Sequence, residues 1–365
     1  MATQNLEVVI DGDGHVMEDI EGIVMRMPEA YRPGFNQGIR NPFPAIDHLH
    51  SSNRHTTPPG SFARIGVDGW LDFLQDVGVD KTVLYTTSGL TMGKVVSKDW
   101  AIEVAKAYNT WMYDTYLTAS SRFQAMGLIA IQEPEEAANE LRRAVEDLGM
   151  CGMMLPSTGA EQIQMHLGDS RYWPIYEEAN RLGCALGIHG GAHDHMGMDG
   201  LSPYAPVHAL GHPFGIMINF AGIIFNGVLD KYPNLRIGFM EAGASWLLTC
   251  MERFTGSWKS HIQYDPRGRF LDLRKGESIA DYINRHIDEG RIFVGVEGDE
   301  LMLPQAVQVT GNKPYVYSSD YPHEVNKDTC KEELVELREN PDITSDDKEA
   351  ILHRNAERFY KVSPQ

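Results

Sequence analysis

The sequence predicts an α/β fold: a (β/α)8 barrel of TIM type with long loop insertions at its carboxyl face. Three observations carry that expectation. Eight short apolar runs alternate with longer amphipathic segments, the pattern of a parallel sheet whose strands are buried on both faces and joined by helices. The 365 residues suit one barrel, a fold that often exceeds the usual domain size as a single unit. Polar residues also gather at the ends of the apolar runs, where a barrel builds its active site. Eight strands at this length favour a closed barrel over an open doubly wound sheet. A single domain over 1–365 is expected, with insertions at about 27–66 and 190–213.

The apolar runs are LEVVID (6–11), KTVLYT (81–86), FQAMGLIA (123–130), CGMMLP (151–156), CALGIH (184–189), LRIGFME (235–241), RIFVGVE (291–297) and PYVYSSD (314–320). Helical periodicity falls between them, around Trp70 to Val77 and over Asp99 to Tyr116, Pro134 to Asp147, Trp173 to Arg181, Phe214 to Leu229, Ser245 to Thr255 and Ile279 to Ile287. Pro134 suits a first helical turn, and Thr344 or Ser345 can cap a closing helix in DITSDDKEAILHRNAERFY. No fixed-period repeat accompanies the alternation. The Pro-, Asn-, Ser- and Gly-rich stretch after the first run and GGAHDHMGMDGLSPYAPVHALGHPFG after the fifth read as long loops that line or cover a pocket.

Composition narrows the partners. Hydrophobic content of 42% and charged content of 23% are ordinary for a globular chain, and no apolar stretch reads as long enough to span a bilayer. With 51 acidic against 32 basic residues the net charge is -19, which disfavours nucleic acid and anionic membrane and leaves a small-molecule substrate. MATQNLEVV lacks a basic segment followed by an apolar core, so a cytoplasmic location is expected. Cys151, Cys184, Cys250 and Cys330 lack CxxC spacing, against a thiolate zinc site or a disulfide framework.

Read at their carboxyl ends, the runs line up functional groups: Asp13 and His15 after the first, His189 on the fifth, Glu241 on the sixth, Glu297 with Asp299 and Glu300 on the seventh, and Asp320 on the eighth. Any one alone reads as a cap or a satisfied core group. Five strand ends in register form a pattern that a metal or catalytic site explains. Asp11 shares parity with Asp13 but lies a step deeper, where it would hold a neighbouring strand, and Glu18 could pair with a basic residue. Met153, Met154 and Trp246 read as packing. His48, His50 and His55 read as loop histidines, and His208 has little in its favour as a site residue.

DGDGHVME, LGIHGG, LRIGFMEAGASW and SSDYPH together resemble the amidohydrolase-related (amidohydrolase 2) branch of the amidohydrolase superfamily, in order over roughly Val8 to Phe359. The resemblance implies a distorted (β/α)8 barrel, often dimeric, that binds a divalent metal at the carboxyl face. By motif position it assigns Asp13, His15, His189 and Asp320 as ligands. Asp13 stands where many relatives have histidine or glutamate. Alternate residues of a strand face one way, so Asp13 and His15 can aim at one ion. Two imidazoles with two carboxylates suit Zn, Mn or Fe, as one ion or two.

One departure bears on the chemistry. Relatives that decarboxylate aromatic acids generally place a histidine near the end of the sixth strand, where this chain has Glu241. Glu241 could serve as a general base if burial raises its pKa, or bind or bridge a second metal. His193, His195, His212, Glu297 and Glu300 are candidates for that second metal or for the pocket wall. His193 and His195 read equally well as solvent-exposed loop residues. His212, before Pro213 at an expected helix start, could reach the metal face or cap. His323 is placed to hold Asp320 from behind.

The expected function is a metal-dependent hydrolase or carboxy-lyase acting on a small carboxylated or aromatic molecule, with Asp320, Glu241 and His189 as the catalytic set. A dinuclear Fe or Mn monooxygenase on the same barrel, and a catalytically silent partner subunit in a homo- or hetero-oligomer with a related barrel, are the alternatives.

Overall fold

The computed structural model describes residues 8–32, 38, 40–45, 57–158, 166–193, 195–261 and 271–364. Eight parallel strands follow one another around the sheet in sequence order: β1 (Ile10–Val16), β2 (Lys81–Thr86), β3 (Phe123–Leu128), β4 (Gly152–Pro156), β5 (Ala185–His189), β6 (Arg236–Met240), β7 (Ile292–Val296) and β8 (Tyr315–Tyr317). Backbone bonds from Asp320 N–H to the Asp13 carbonyl (3.0 Å) and from His15 N–H to the Tyr321 carbonyl (2.7 Å) tie the chain after β8 to β1. This closes the ring into a TIM-type barrel. Its core of Val, Ile, Leu, Met and aromatic side chains is continuous from Val9 to Val362.

The helices of the outer layer are α1 (Ile20–Val24), α2 (Gly66–Val77), α3 (Lys98–Met112), α4 (Pro134–Glu146), α5 (Trp173–Leu182), α6 (Tyr204–Phe225), α7 (Val228–Lys231), α8 (Ser245–His261), α9 (Ile279–Asp288), α10 (Leu303–Thr310), α11 (Lys327–Glu339), α12 (Ser345–Glu349) and α13 (Asn355–Tyr360). Thr344 caps α12 in a reciprocal box with Asp347. Met153 and Met154 lie buried in β4, and Trp246 packs on Phe220 and Phe239 at 5.1 and 5.4 Å between ring centroids. The four cysteines are free.

Two expectations are corrected. The first strand is not 6–11: among the described residues it runs from Ile10 to Val16, through the polar stretch. Asp11 there is paired to both flanks, accepting from Thr82 Oγ1 (2.7 Å), Ser319 Oγ (2.9 Å) and Ser319 N–H (2.9 Å), so its charge does not stop the strand. The second correction concerns 190–213 and the helix expected from Phe214 to Leu229. Helix α6 begins at Tyr204, and Gly227, with φ +65°, separates it from α7. Val207, Gly211, Ile216, Phe220 and Ile223 supply a buried face that outweighs the interruption at Pro213. By length and composition α6 could cross a membrane, contrary to the sequence reading; 56% of its most apolar window is buried inside the protein, as befits a core helix. His48, His50 and His55 lie outside the described residues.

Candidate metal centre

β1 delivers Asp13 and His15, both fully buried. A bulge places them: Asp11 pairs with Thr82 and Gly14 with Leu84, so three steps on β1 answer two on β2. Gly12 allows this, since a Cβ there would lie 2.3 Å from Val316 Cγ1. The two oxygens of Asp13 then face different imidazoles, Oδ1 at 3.4 Å from His15 Nε2 and Oδ2 at 3.2 Å from His189 Nε2. Asp320 Oδ1 lies 3.4 Å from His15 Nε2. Asp13, His15 and His189 form one group with potential ligand atoms all within 4.8 Å of one another; His15, Asp320 and His323 form a second.

The backbone orients both histidines. His15 Nδ1 lies 2.7 Å from the Thr86 carbonyl, and His189 Nδ1 lies 2.7 Å from the Gly190 carbonyl. A carbonyl only accepts, so each Nδ1 carries the hydrogen and each Nε2 turns a lone pair into the centre. Both oxygens of Asp13, both Nε2 atoms and Asp320 Oδ1 are buried without a hydrogen-bond partner. Each such atom costs about 1–3 kcal/mol when left unsatisfied, and one divalent cation would satisfy all five. This donor set fits a Zn, Mn or Fe(II) ion.

The electrostatics agree. Burial works against the Asp13 carboxylate, yet His189 and His15 outweigh it and hold its pKa at about 2. Burial likewise disfavours a charged His189, but the charges of Asp13 and Glu241 raise its pKa well above 6.5. The pocket is built to hold positive charge; a bound cation would displace that proton.

Glu241 and Asp320 follow β6 and β8 with φ of +61° and +49°. A left-handed backbone at a non-glycine residue costs about 1–3 kcal/mol, and such strain concentrates at functional sites. Glu241 Oε2 lies 3.1 Å from His189 Nδ1 and 2.9 Å from His212 Nδ1. Burial opposes its charge, but His212 and His189 prevail and set its pKa well below 4.5. Thus the raised pKa needed for a neutral-pH base at Glu241 is not found. Asp320 shifts the other way: burial, then the charge of Glu241, raises its pKa well above 3.8. His323 Nδ1 lies 2.8 Å from Asp320 Oδ1, its Nε2 2.8 Å from Thr87 Oγ1, and its ring stacks on His15 at 4.0 Å.

The remaining candidates divide. His212 projects from within α6, not from its start, and its ring lies 4.7 Å from that of buried His193. His195 is exposed, with φ +60°, and its N–H points to the Asp199 carboxylate at 3.4 Å. Glu300 braces the fold: it accepts from the N–H groups of Glu297 (3.0 Å) and Ala244 (2.7 Å), joining the end of β7 to the start of α8. Glu297, just past the end of β7, is exposed.

Sequence reasoning missed three supports. Among the described residues Glu18 pairs with no lysine or arginine; it accepts from the N–H groups of Thr87 (2.9 Å) and Ser88 (2.9 Å) and shapes the turn after β2. Thr87 backs His323. Tyr360 donates to the Gly12 carbonyl (2.6 Å) and meets Tyr85 at 2.9 Å, forming the floor below the histidines. The run KTVLYTTS offered only two threonines beside a strand end as a signal.

Comparison with known proteins places this geometry in a family. The chain is 26% identical over 327 residues to 2-amino-3-carboxymuconate-6-semialdehyde decarboxylase of Dictyostelium discoideum, covering 88% of this chain and 85% of that protein. It is 22% identical over 296 residues to a gamma-resorcylate decarboxylase of Polaromonas, covering 78% and 84%. Among solved structures, 5-carboxyvanillate decarboxylase of Sphingomonas paucimobilis superposes with a TM-score of 0.73 at 20% identity, over 98% of this chain and 100% of that one. A dihydroxybenzoic acid decarboxylase of Polaromonas with bound manganese gives 0.66 at 18%, over 97% of each. These structures share the barrel fold. The amidohydrolase family model Amidohydro_2 matches residues 10–362, and the chain belongs to that family.

Proposed function

We propose that the protein is a divalent-metal-dependent carboxy-lyase acting on a small aromatic or enol-type carboxylate. The observation that carries this reading is the convergence of five buried, unpartnered donor atoms from Asp13, His15, His189 and Asp320, in a chain whose relatives are decarboxylases. The bound ion would supply Lewis acidity toward a substrate oxygen. Asp320, which stands at the centre beside His15 and His323, would pass a proton to the carbon bearing the carboxylate. The electrons of the breaking carbon–carbon bond then return to the ring or enol as carbon dioxide leaves. His323 and Thr87 hold Asp320 in place from behind, and Glu241 stays ionised between His189 and His212.

The test is turnover by metal-reconstituted protein of a panel of hydroxylated aromatic and enol-type carboxylates, with carbon dioxide and dissolved oxygen followed together. Carbon dioxide release without oxygen uptake is expected; oxygen consumption coupled to turnover would sink the reading.

A second reading rests on Glu241 and His212. Their carboxylate and imidazole stand 2.9 Å apart beside His189, and His212 Nε2 is buried without a hydrogen-bond partner. That is a second donor set for Fe or Mn, as a dinuclear monooxygenase would need. Two ions per chain together with oxygen uptake would select it, and a single ion would discard it.

A further inference from the structure

The amino-terminal face of the barrel, at the opposite ends of the strands from the metal centre, holds a cleft of about 450 Å³. It opens where α5 ends at Gly183, β6 starts at Arg236, β7 is preceded by Arg291 and α13 is followed by Lys361. That volume suits a small organic molecule. Arg181, Arg236, Arg291 and Lys361 line the cleft against one acid, Glu289, in a chain with 51 acidic and 32 basic residues. Arg181 pairs with Glu146 and Glu178, and Arg291 faces Glu289 at 3.6 Å. Among the described residues, neither Arg236 nor Lys361 pairs with a carboxylate. Arg236 donates from Nη2 to the Gly183 carbonyl (2.6 Å) and from Nε to the Phe359 carbonyl (2.9 Å). Those bonds fix the guanidinium, leave its charge uncompensated and keep Nη1 for a ligand.

We propose that this cleft binds a small phosphate-bearing molecule, with Arg236 and Lys361 as its anchors. Lys361 is held beside Arg236 against two opposing effects. Its backbone is left-handed, with φ +55°, at a helix end where glycine is the usual residue. Burial, then the charge of Arg236, pulls its pKa below the ordinary lysine range. A Cβ at Gly183 would lie 2.8 Å from Lys361 Nζ, so the ammonium sits over the residue whose carbonyl holds Arg236. Two adjacent like charges repel, and a dianion between them relieves both; a single carboxylate supplies one charge for two cations. Capping of helix ends accounts for Arg236 alone, because Lys361 Nζ makes no hydrogen bond among the described residues. The net charge of -19 does not forbid an anion here, since at physiological salt its field fades over about 8 Å and the lining residues set the local potential.

The experiment is calorimetric titration of inorganic phosphate into the full-length, metal-loaded protein at constant ionic strength, beside Lys361→Gly and Lys361→Arg. Glycine adopts the left-handed backbone without strain, so Lys361→Gly should melt at or above the wild-type temperature. The expected result is a saturable phosphate site in the wild type that Lys361→Gly weakens by about tenfold or more and Lys361→Arg retains. No saturable binding at tens of millimolar phosphate overturns the proposal. So does equal affinity in a well-folded Lys361→Gly, because the phosphate would then sit at the metal centre or another face. Acetate bound at this site as tightly as phosphate would deny the preference for a dianion and also overturn it.

Discussion

Asp13 organises the centre through two oxygens, because it faces His15 with one and His189 with the other, and neither oxygen has a competing hydrogen-bond donor. Asp320 differs in kind. It touches the same centre, but its left-handed backbone and its contact with His323 place it to hand a proton to the substrate. Asp320→Asn keeps the shape and loses the transferable proton. Turnover should fall about 10²–10⁴-fold, the range for removing a general acid, with little change in the melting curve. Full activity in steady-state assays of this variant would remove Asp320 from the chemistry. At this scale the sequence was informative where parity applies: Asp13 and His15 alternate on one strand, and a strand end localises His189. It was silent on Thr87 and Tyr360, whose contacts join segments separated by 236 and 348 residues.

Elements set how tightly those residues are held. β4 and β5 approach so closely that a Cβ at Gly152 would sit 1.9 Å from the Ala185 carbonyl oxygen. Gly152→Ala should therefore force the strands apart and destabilise the fold by about 1–3 kcal/mol, a loss readable in urea unfolding midpoints. Wild-type stability in this variant would show that the strand pair is looser than described. On α11, Glu333 is buried with Oε2 unpartnered. Burial, then the charges of Glu297, Asp299 and Asp320, raises its pKa from 4.5 to about 9. A carboxyl raised on folding contributes stability below pH 4.5 that is lost as pH climbs toward 9. Glu333→Gln should match the wild type near pH 4 and melt at a higher temperature at pH 8. A lower melting temperature at pH 8 would mean that Glu333 is paired and charged.

Element boundaries also show where reading the sequence fails for a physical reason. KTVLYT matches β2 end to end because a buried parallel strand is apolar throughout. The bounds of β1 escape local hydropathy because Asp11 is hydrogen-bonded by Thr82 and Ser319, 71 and 308 residues away. The start of α6, ten residues before the expected one, is hidden by Pro213 and nearby glycines, which read as loop chemistry, while the packing that overrides them is tertiary.

Across the whole molecule, the barrel draws one site from both ends of the chain, and the contacts between β1 and the segment after β8 both close the sheet and assemble the donors. Metal removal should therefore act on stability as well as activity. Dialysis against a chelator should lower the melting temperature, and Mn or Zn should restore it, as binding to the folded state alone requires. An unchanged melting temperature through that cycle would uncouple the centre from the fold. The most direct test is elemental analysis of wild-type protein and folded Asp13→Ala, both expressed with Fe, Mn and Zn available. A bound divalent transition-metal ion in the wild type and its loss from Asp13→Ala are the predicted results; a metal-free wild type, or full occupancy in the variant, would contradict the assignment of the centre.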